Sequence, residues 1–192
     1  MSISNEDALA QWAQWAFSFP MSESPFYHWN TKFGDGKNQP GLDFFCLTCT
    51  GGRGNNKNIE ERDFDISKIT KKEFIGIPIL VAAYTKEEVA GNISHLDYAR
   101  DIVKSAGHKE LVIDGQHESD FDKYYIEIPS TPINLPSGHV ADNPLLKPDS
   151  YDYAVAGYFA VKPTPKKDTR ITFGGGSSKY GFVTSVDYTI KV

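Results

Sequence analysis

Cys46-Leu47-Thr48-Cys49 places two thiols three residues apart, a spacing that in a turn can hold a metal ion or close a redox disulfide. The surrounding residues read as strand, where side chains alternate between faces, so this spacing sends the two thiols to opposite sides. The motif uses both cysteines of the chain, which leaves no second pair to complete a zinc site. Structural thiols are the expected reading, and a β-bulge at this point would change it.

A second constellation is Asp114-Gly115-Gln116-His117-Glu118-Ser119-Asp120. A histidine beside carboxylates is what a general base with an orienting partner requires, and His117 with Asp114, Glu118 or Asp120 would supply it. The same side chains could serve a metal ion if three or four of them converged. Against both stands the plainer reading of a solvated turn, because turns favour Asp, Gly and Ser on conformational grounds. His28 is the other candidate base, and His95 opens a predicted helix.

Around His28 lie Phe26, Tyr27, Trp29 and Phe33. Aromatic faces in an irregular segment can line a site for a sugar ring or another flat ligand, and these four are the expected ligand-binding residues. The alternative is that the rings plug the end of a core. Gly174-Gly175-Gly176-Ser177-Ser178 follows a strand and precedes another, without the helix N-terminus that a phosphate cradle needs, so it reads as a flexible hairpin loop. Asn92-Ile93-Ser94 matches a glycosylation acceptor only by its spacing. The chain shows no Ser-His-Asp order, metalloprotease helix motif or nucleotide fingerprint.

Elements must position these residues. Ser4 three residues before Asp7 resembles an N-cap, and Ala8, Leu9, Trp12, Ala13, Trp15 and Ala16 recur at helical spacing, which predicts a helix over about 5–17. Ser94 and Asp97 repeat the arrangement ahead of Leu96, Ala99, Ile102 and Val103, predicting a second helix over about 94–106, with Gly107 as a left-handed cap. The rest reads as strand and turn. Strands are expected at 42–50, 62–67, 74–84, 110–114, 123–128, 151–161, 169–173 and 181–192. Asp114-Gly115 is expected to join 110–114 to 123–128 as a hairpin, and the proline-bearing 129–150 to form an irregular loop. About eight strands that do not alternate with helices favour a mainly β fold in one domain over 1–192, a β-sandwich of immunoglobulin-like or jelly-roll-like kind with two amphipathic helices.

Composition sets the outer limits. The chain has 192 residues, 40% hydrophobic and 23% charged, which is globular rather than disordered composition. A formal net charge of -5, with no basic stripe interleaved by aromatics, argues against a nucleic-acid partner. The longest apolar stretch, 74–84, is too short to span a membrane. The N-terminal residues have no signal-peptide pattern, so the expected compartment is cytoplasmic, or extracellular if Met1 replaces a removed signal.

The order of several motifs also resembles a family. Trp12-x-x-Trp15, Gln39-Pro40-Gly41-Leu42-Asp43-Phe44-Phe45 with Thr50-Gly51-Gly52, Arg62-x-Phe64-x-Ile66, Gly157-Tyr158-Phe159 and Phe182-Val183-Thr184-x-Val186-x-Tyr188 look like an uncharacterised family of microbial proteins. The likeness runs over nearly the whole chain, each motif being loose, and implies an organisation without an activity, substrate or cofactor. Relatives of that kind carry a cysteine where this chain has Phe64, so their disulfide is absent here, which implies a reducing compartment or a different redox footing.

With no strong catalytic constellation, the expected function is a non-enzymatic binding or assembly module whose partner is a small molecule, a carbohydrate or a protein. A small enzyme, a hydrolase or isomerase using a His/carboxylate base, is the second expectation, and a metal-binding protein the third. Cofactor and oligomeric state are left open by the residues themselves.

Overall fold

The computed structural model describes residues 3–24, 39, 41–48, 60–65, 72–139 and 146–192, with backbone alone at 21 and 60–65. Two α-helices, α1 (Asn5–Phe17) and α2 (His95–Lys104), stand among nine described strands: β1 (Phe45–Cys46), β2 (Glu60–Asp65), β3 (Phe74–Thr85), β4 (His108–Ile113), β5 (Gln116–His117), β6 (Tyr125–Asn134), β7 (Ser150–Pro163), β8 (Thr169–Ser177) and β9 (Phe182–Lys191). They form two sheets, one in the order β1-β3-β7-β6 and the other in the order β2-β9-β8-β4-β5. The β1–β3 and β2–β9 pairings are parallel and the others antiparallel. This is the mainly β, sandwich-like fold that the patterning predicts.

The helices start where their caps place them. The Ser4 hydroxyl accepts from the Asp7 amide at 3.0 Å and the Ser94 hydroxyl from the Asp97 amide at 3.1 Å, so each satisfies an amide that the first helical turn leaves open. α1 then buries Ala8, Leu9, Trp12, Ala13, Trp15 and Ala16, the stripe its spacing predicts. No described helix is long and apolar enough to cross a membrane.

The first sheet is covered on both faces. Tyr153, Val155 and Phe159 of β7 pack with α1, whereas Ala156, Tyr158 and Ala160 pack in a second core with α2 and the second sheet. Two-sided burial explains why β7 runs buried without interruption from Tyr153 to Ala160 instead of alternating with polar residues. A bulge at Ile79 opposes two residues of β3 to one of β7, so Ile75 and Ile77 before it and Leu80 and Ala82 after it all reach the same core. Gly175 of β8 lies directly over this bulge, where an added Cβ would sit 3.2 Å from Leu80 Cβ.

Four expectations are corrected. The Gly174–Gly176 run is not a loop but part of β8, paired to β4 on one side and β9 on the other. The glycines are there because backbone of the neighbouring strand and the facing sheet leaves no room for side chains: a Cβ on Gly174 would meet the Thr184 carbonyl oxygen at 2.0 Å. Asp114-Gly115 does make a tight turn, but it leads from β4 into the two-residue β5, while β6 belongs to the other sheet. The stretch expected as irregular from 129 continues as strand to Asn134, with a register shift between Ile128 and Thr131 that accommodates Pro129. Gly107 is not among the glycines with positive φ, and α2 ends instead on Ser105, whose amide bonds Asp101 O and Val103 O.

Candidate functional site

The turn that carries the predicted histidine and carboxylates is built by its two central residues. Asp114 and Gly115 have φ of 50° and 79°, the double positive φ of a turn whose twist matches a two-stranded hairpin. Asp114 tolerates it because its side chain is occupied: Oδ1 accepts from the Arg170 amide at 3.0 Å, and Oδ2 lies 3.3 Å from Lys167 Nζ. The Arg170 amide and Lys167 hold its carboxyl below the usual range.

These side chains do not converge. His117 is exposed, and no described carboxylate lies within hydrogen-bond or ion-pair distance of it. Asp120 is exposed as well. Glu118 turns the other way: Oε1 accepts from the Ser119 and Asp120 amides at 3.1 Å, and Oε2 accepts from Tyr124 Oη at 2.8 Å and Lys123 Nζ at 2.7 Å. Lys123 foremost, with the Tyr124 hydroxyl, holds the Glu118 carboxyl down at about 2. Glu118 is therefore an anchor for the crossing from β5 to β6, with its charge already satisfied. His28, Phe26, Tyr27, Trp29 and Phe33 lie outside the described residues, as does Cys49. Cys46 is buried in the α1 core, its thiol donating to Leu47 O and its backbone paired both ways by the Gln39 side-chain amide. Among the described residues no group of three or more His, Cys, Asp or Glu is placed to hold a metal ion.

Following Glu118 leads to a denser cluster. Tyr124 Oη accepts from Lys162 Nζ at 2.6 Å, and the Lys123 and Lys162 ammoniums lie 5.0 Å and 4.9 Å from its ring centroid. Next to it, the Tyr125 and Tyr158 rings meet at 5.2 Å, with Phe121 edge-on to Tyr158 at 6.4 Å. Lys104 stands 4.8 Å over Tyr125, and Lys109 stands 4.9 Å over Tyr158. Lys104 and Lys109 lie against the negative face of a ring, an attraction of about 0.5–1 kcal/mol at an exposed site and more where water is excluded, whereas Lys162 meets Tyr124 through its hydroxyl.

Register explains how these groups meet. Lys109 shares its face of β4 with Leu111 and Ile113, and its partner is Gly175, whose missing side chain leaves room between the sheets. Lys162 shares the inward face of β7 with Tyr158 and Ala160, one position beyond the core. Lys104 comes from the last turn of α2, which packs on β7 and β3. Lys104 and Lys109 thus rest on the paired Tyr125 and Tyr158 rings, while Lys162, further along β7, reaches Tyr124.

Another cation nearby, Arg100, is neutralised. Arg100 Nε and Nη2 donate to the two oxygens of Glu127, each at 2.7 Å, and Arg100 also pairs with Asp97. Arg100 holds the Glu127 carboxyl down at about 2, and the Tyr125 hydroxyl, 2.5 Å away, adds to this. Burial and the same Glu127 push the Tyr125 phenol up. Lys104, Lys109 and Lys162, by contrast, have no carboxylate within ion-pair distance among the described residues.

None of the lysines stood out in the sequence as a site, because lysines flanking strand ends read as solvated termini. The usable signal was parity: in His108–Ile113 the residues facing the core are Lys109, Leu111 and Ile113, so a lysine occupies an inward slot. Comparison with known proteins gives no family: no family model matches this chain, and no curated protein or solved structure matches it.

Proposed function

We propose that this protein is a non-enzymatic binding module and that the seam edged by Lys104, Lys109 and Lys162 takes an anionic ligand. The observation that carries this reading is three ammoniums beside tyrosine rings with no carboxylate in ion-pair distance among the described residues, on a chain whose formal net charge is -5. A ring holds an ammonium in place without cancelling its charge, so the ligand meets cations whose positions are already fixed. The rings also lower the rotamer freedom that long lysine side chains would otherwise lose on binding.

The test is a backbone-amide NMR titration of the whole chain with inorganic polyphosphate as a generic polyanion. Shifts concentrated at 104–109, 121–125 and 158–162, and suppressed by added salt, are expected. No saturable shift, or shifts gathered on another face, would refute the proposal.

A further inference from the structure

We infer that the open edge of β4 takes an extended acidic segment of a partner protein as an added antiparallel strand; its charge contact rests on the anion-binding reading above, and its backbone contacts do not. Strand β4 is fully paired along one side only. β8 runs beside it from His108 to Ile113, whereas β5 reaches only Val112 and Ile113. The chain leaves that edge at Glu118, whose amide bonds Leu111 O while its carboxylate takes Lys123 and Tyr124. The anchor that carries the chain over to β6 thus leaves the first half of β4 without a neighbour.

Parity identifies the backbone groups left over. In an antiparallel ladder the N–H and C=O of one residue point to the same side, and successive residues alternate. Asp114 N bonds Arg170 O on the β8 side, and Leu111 O accepts on the β5 side. His108 and Glu110 therefore serve β8, while Lys109 turns both its backbone groups to the open edge. Neither group has a backbone partner among the described residues. Gly107, two residues before, is exposed, with nothing within 4 Å of the place its Cβ would take, so that end of the edge is open. A phosphate or sulfate can accept from the Lys109 amide but has nothing to donate to its carbonyl, whereas a peptide strand does both.

Charge then narrows the peptide. An unpaired edge invites any strand, and proteins guard theirs with prolines or with inward-pointing charges. β6, the outer strand of the first sheet, carries Pro129 and Pro132. β4 has no proline, and its guard is Lys109, in an inward slot without a carboxylate in ion-pair distance among the described residues. A residue directly opposite Lys109 has its side chain on the same face, with Cβ atoms roughly 4.5–5.5 Å away. An apolar side chain there leaves the ammonium uncompensated, and a second copy of β4 centred on this point sets Lys109 against Lys109. An Asp or Glu meets it with the opposite charge. The neighbouring residues of the added strand face outward beside His108 and Glu110, which lie 3.9 Å apart, so uncharged polar side chains suit them.

The test uses the full chain and a capped heptapeptide alternating threonine with glutamate, so that each register of the correct face sets a glutamate opposite Lys109. Amide hydrogen exchange followed by NMR reads the edge directly. Without peptide, Lys109 is expected to exchange at least tenfold faster than Glu110; saturating peptide should slow Lys109 at least tenfold and leave Glu110 within twofold. Methylating the glutamate amides, which face Lys109 in an antiparallel ladder, should weaken binding at least tenfold. Methylating the threonine amides, which face away and leave the charge identical, should keep affinity within threefold. Replacing each glutamate by glutamine should also weaken binding at least tenfold, and equal binding of that peptide would overturn the acidic assignment. Equal affinity of the two methylated forms, or binding of inorganic polyphosphate without binding of the peptide, would overturn strand addition while leaving the anion site standing. Binding of neither probe would overturn both readings. Slowing of Lys109 exchange by raised protein concentration alone would place a second copy on the edge and overturn the partner assignment.

Discussion

Lys109 Nζ lies 4.9 Å from the centroid of the Tyr158 ring, across the space between the two sheets. A lysine in an inward slot of β4, opposite a glycine of β8, is not what core formation selects: Leu111 and Ile113 occupy the equivalent slots further along the strand. The arrangement keeps a charge at the sandwich rim by resting its stem on apolar surface and its head on a ring.

The glycines of β8 should respond unequally to a methyl group. Gly174→Ala drives a Cβ into Thr184 backbone and is expected to cost roughly 1–3 kcal/mol or to prevent folding. Gly107→Ala, where nothing lies within 4 Å and φ is not positive, should instead stabilise by about 0.4–1 kcal/mol through the unfolded chain. Urea denaturation of the two variants measures both, and equal effects would show that the close approach in β8 is not real.

A polar latch ties β9 to the segment that follows β1. Tyr188 Oη accepts from the Thr48 amide at 3.0 Å and donates to the Thr48 carbonyl at 2.9 Å, with both residues buried. Tyr188→Phe keeps the ring stacked on Phe173 but strips those bonds from buried backbone, for an expected loss of about 1–3 kcal/mol. Thermal unfolding reads this directly, and an unchanged melting temperature would mean the hydroxyl holds nothing.

Acid should weaken the fold through Glu127. Its carboxyl is held at about 2 in the folded protein, chiefly by Arg100, against roughly 4.3 for a free glutamate. A carboxyl with a depressed folded pKa contributes stability in full above the unfolded value, and that contribution is lost as pH falls toward 2. The urea midpoint of the wild type should therefore drop between about pH 5 and 2, and less steeply in Glu127→Gln. Glu118, also held at about 2, keeps part of the slope in that variant. Parallel curves for the two proteins would contradict this assignment.

Much of the fold was legible because it depends on local chemistry. Ser4 and Ser94 cap as their spacing predicts, and the alternation of β9 gives its inward face as Val186, Tyr188 and Ile190. What failed was pairing. Asp114-Gly115 sets the geometry of a turn but not the strand it leads to, and only the crossing anchored by Glu118 shows that β6 joins the other sheet. The glycine run misled for a related reason: it looks flexible as sequence, whereas the constraint on it comes from neighbouring strands far along the chain. At the site, Glu118 was singled out for a charge that is in fact consumed internally. The three lysines escaped notice because their significance lies in the rings they rest on, and ring contacts across α2, β4, β6 and β7 are tertiary.

The salt dependence of inorganic polyphosphate affinity, measured for the wild type and for Lys104→Gln/Lys109→Gln, tests the central claim most directly. If those ammoniums meet the anion, log affinity falls with log salt in the wild type, and the double variant lowers that slope by about one for each lysine removed, as for ion-pair contacts to other polyanions. A slope unchanged by the two substitutions would place the anion elsewhere and contradict the account.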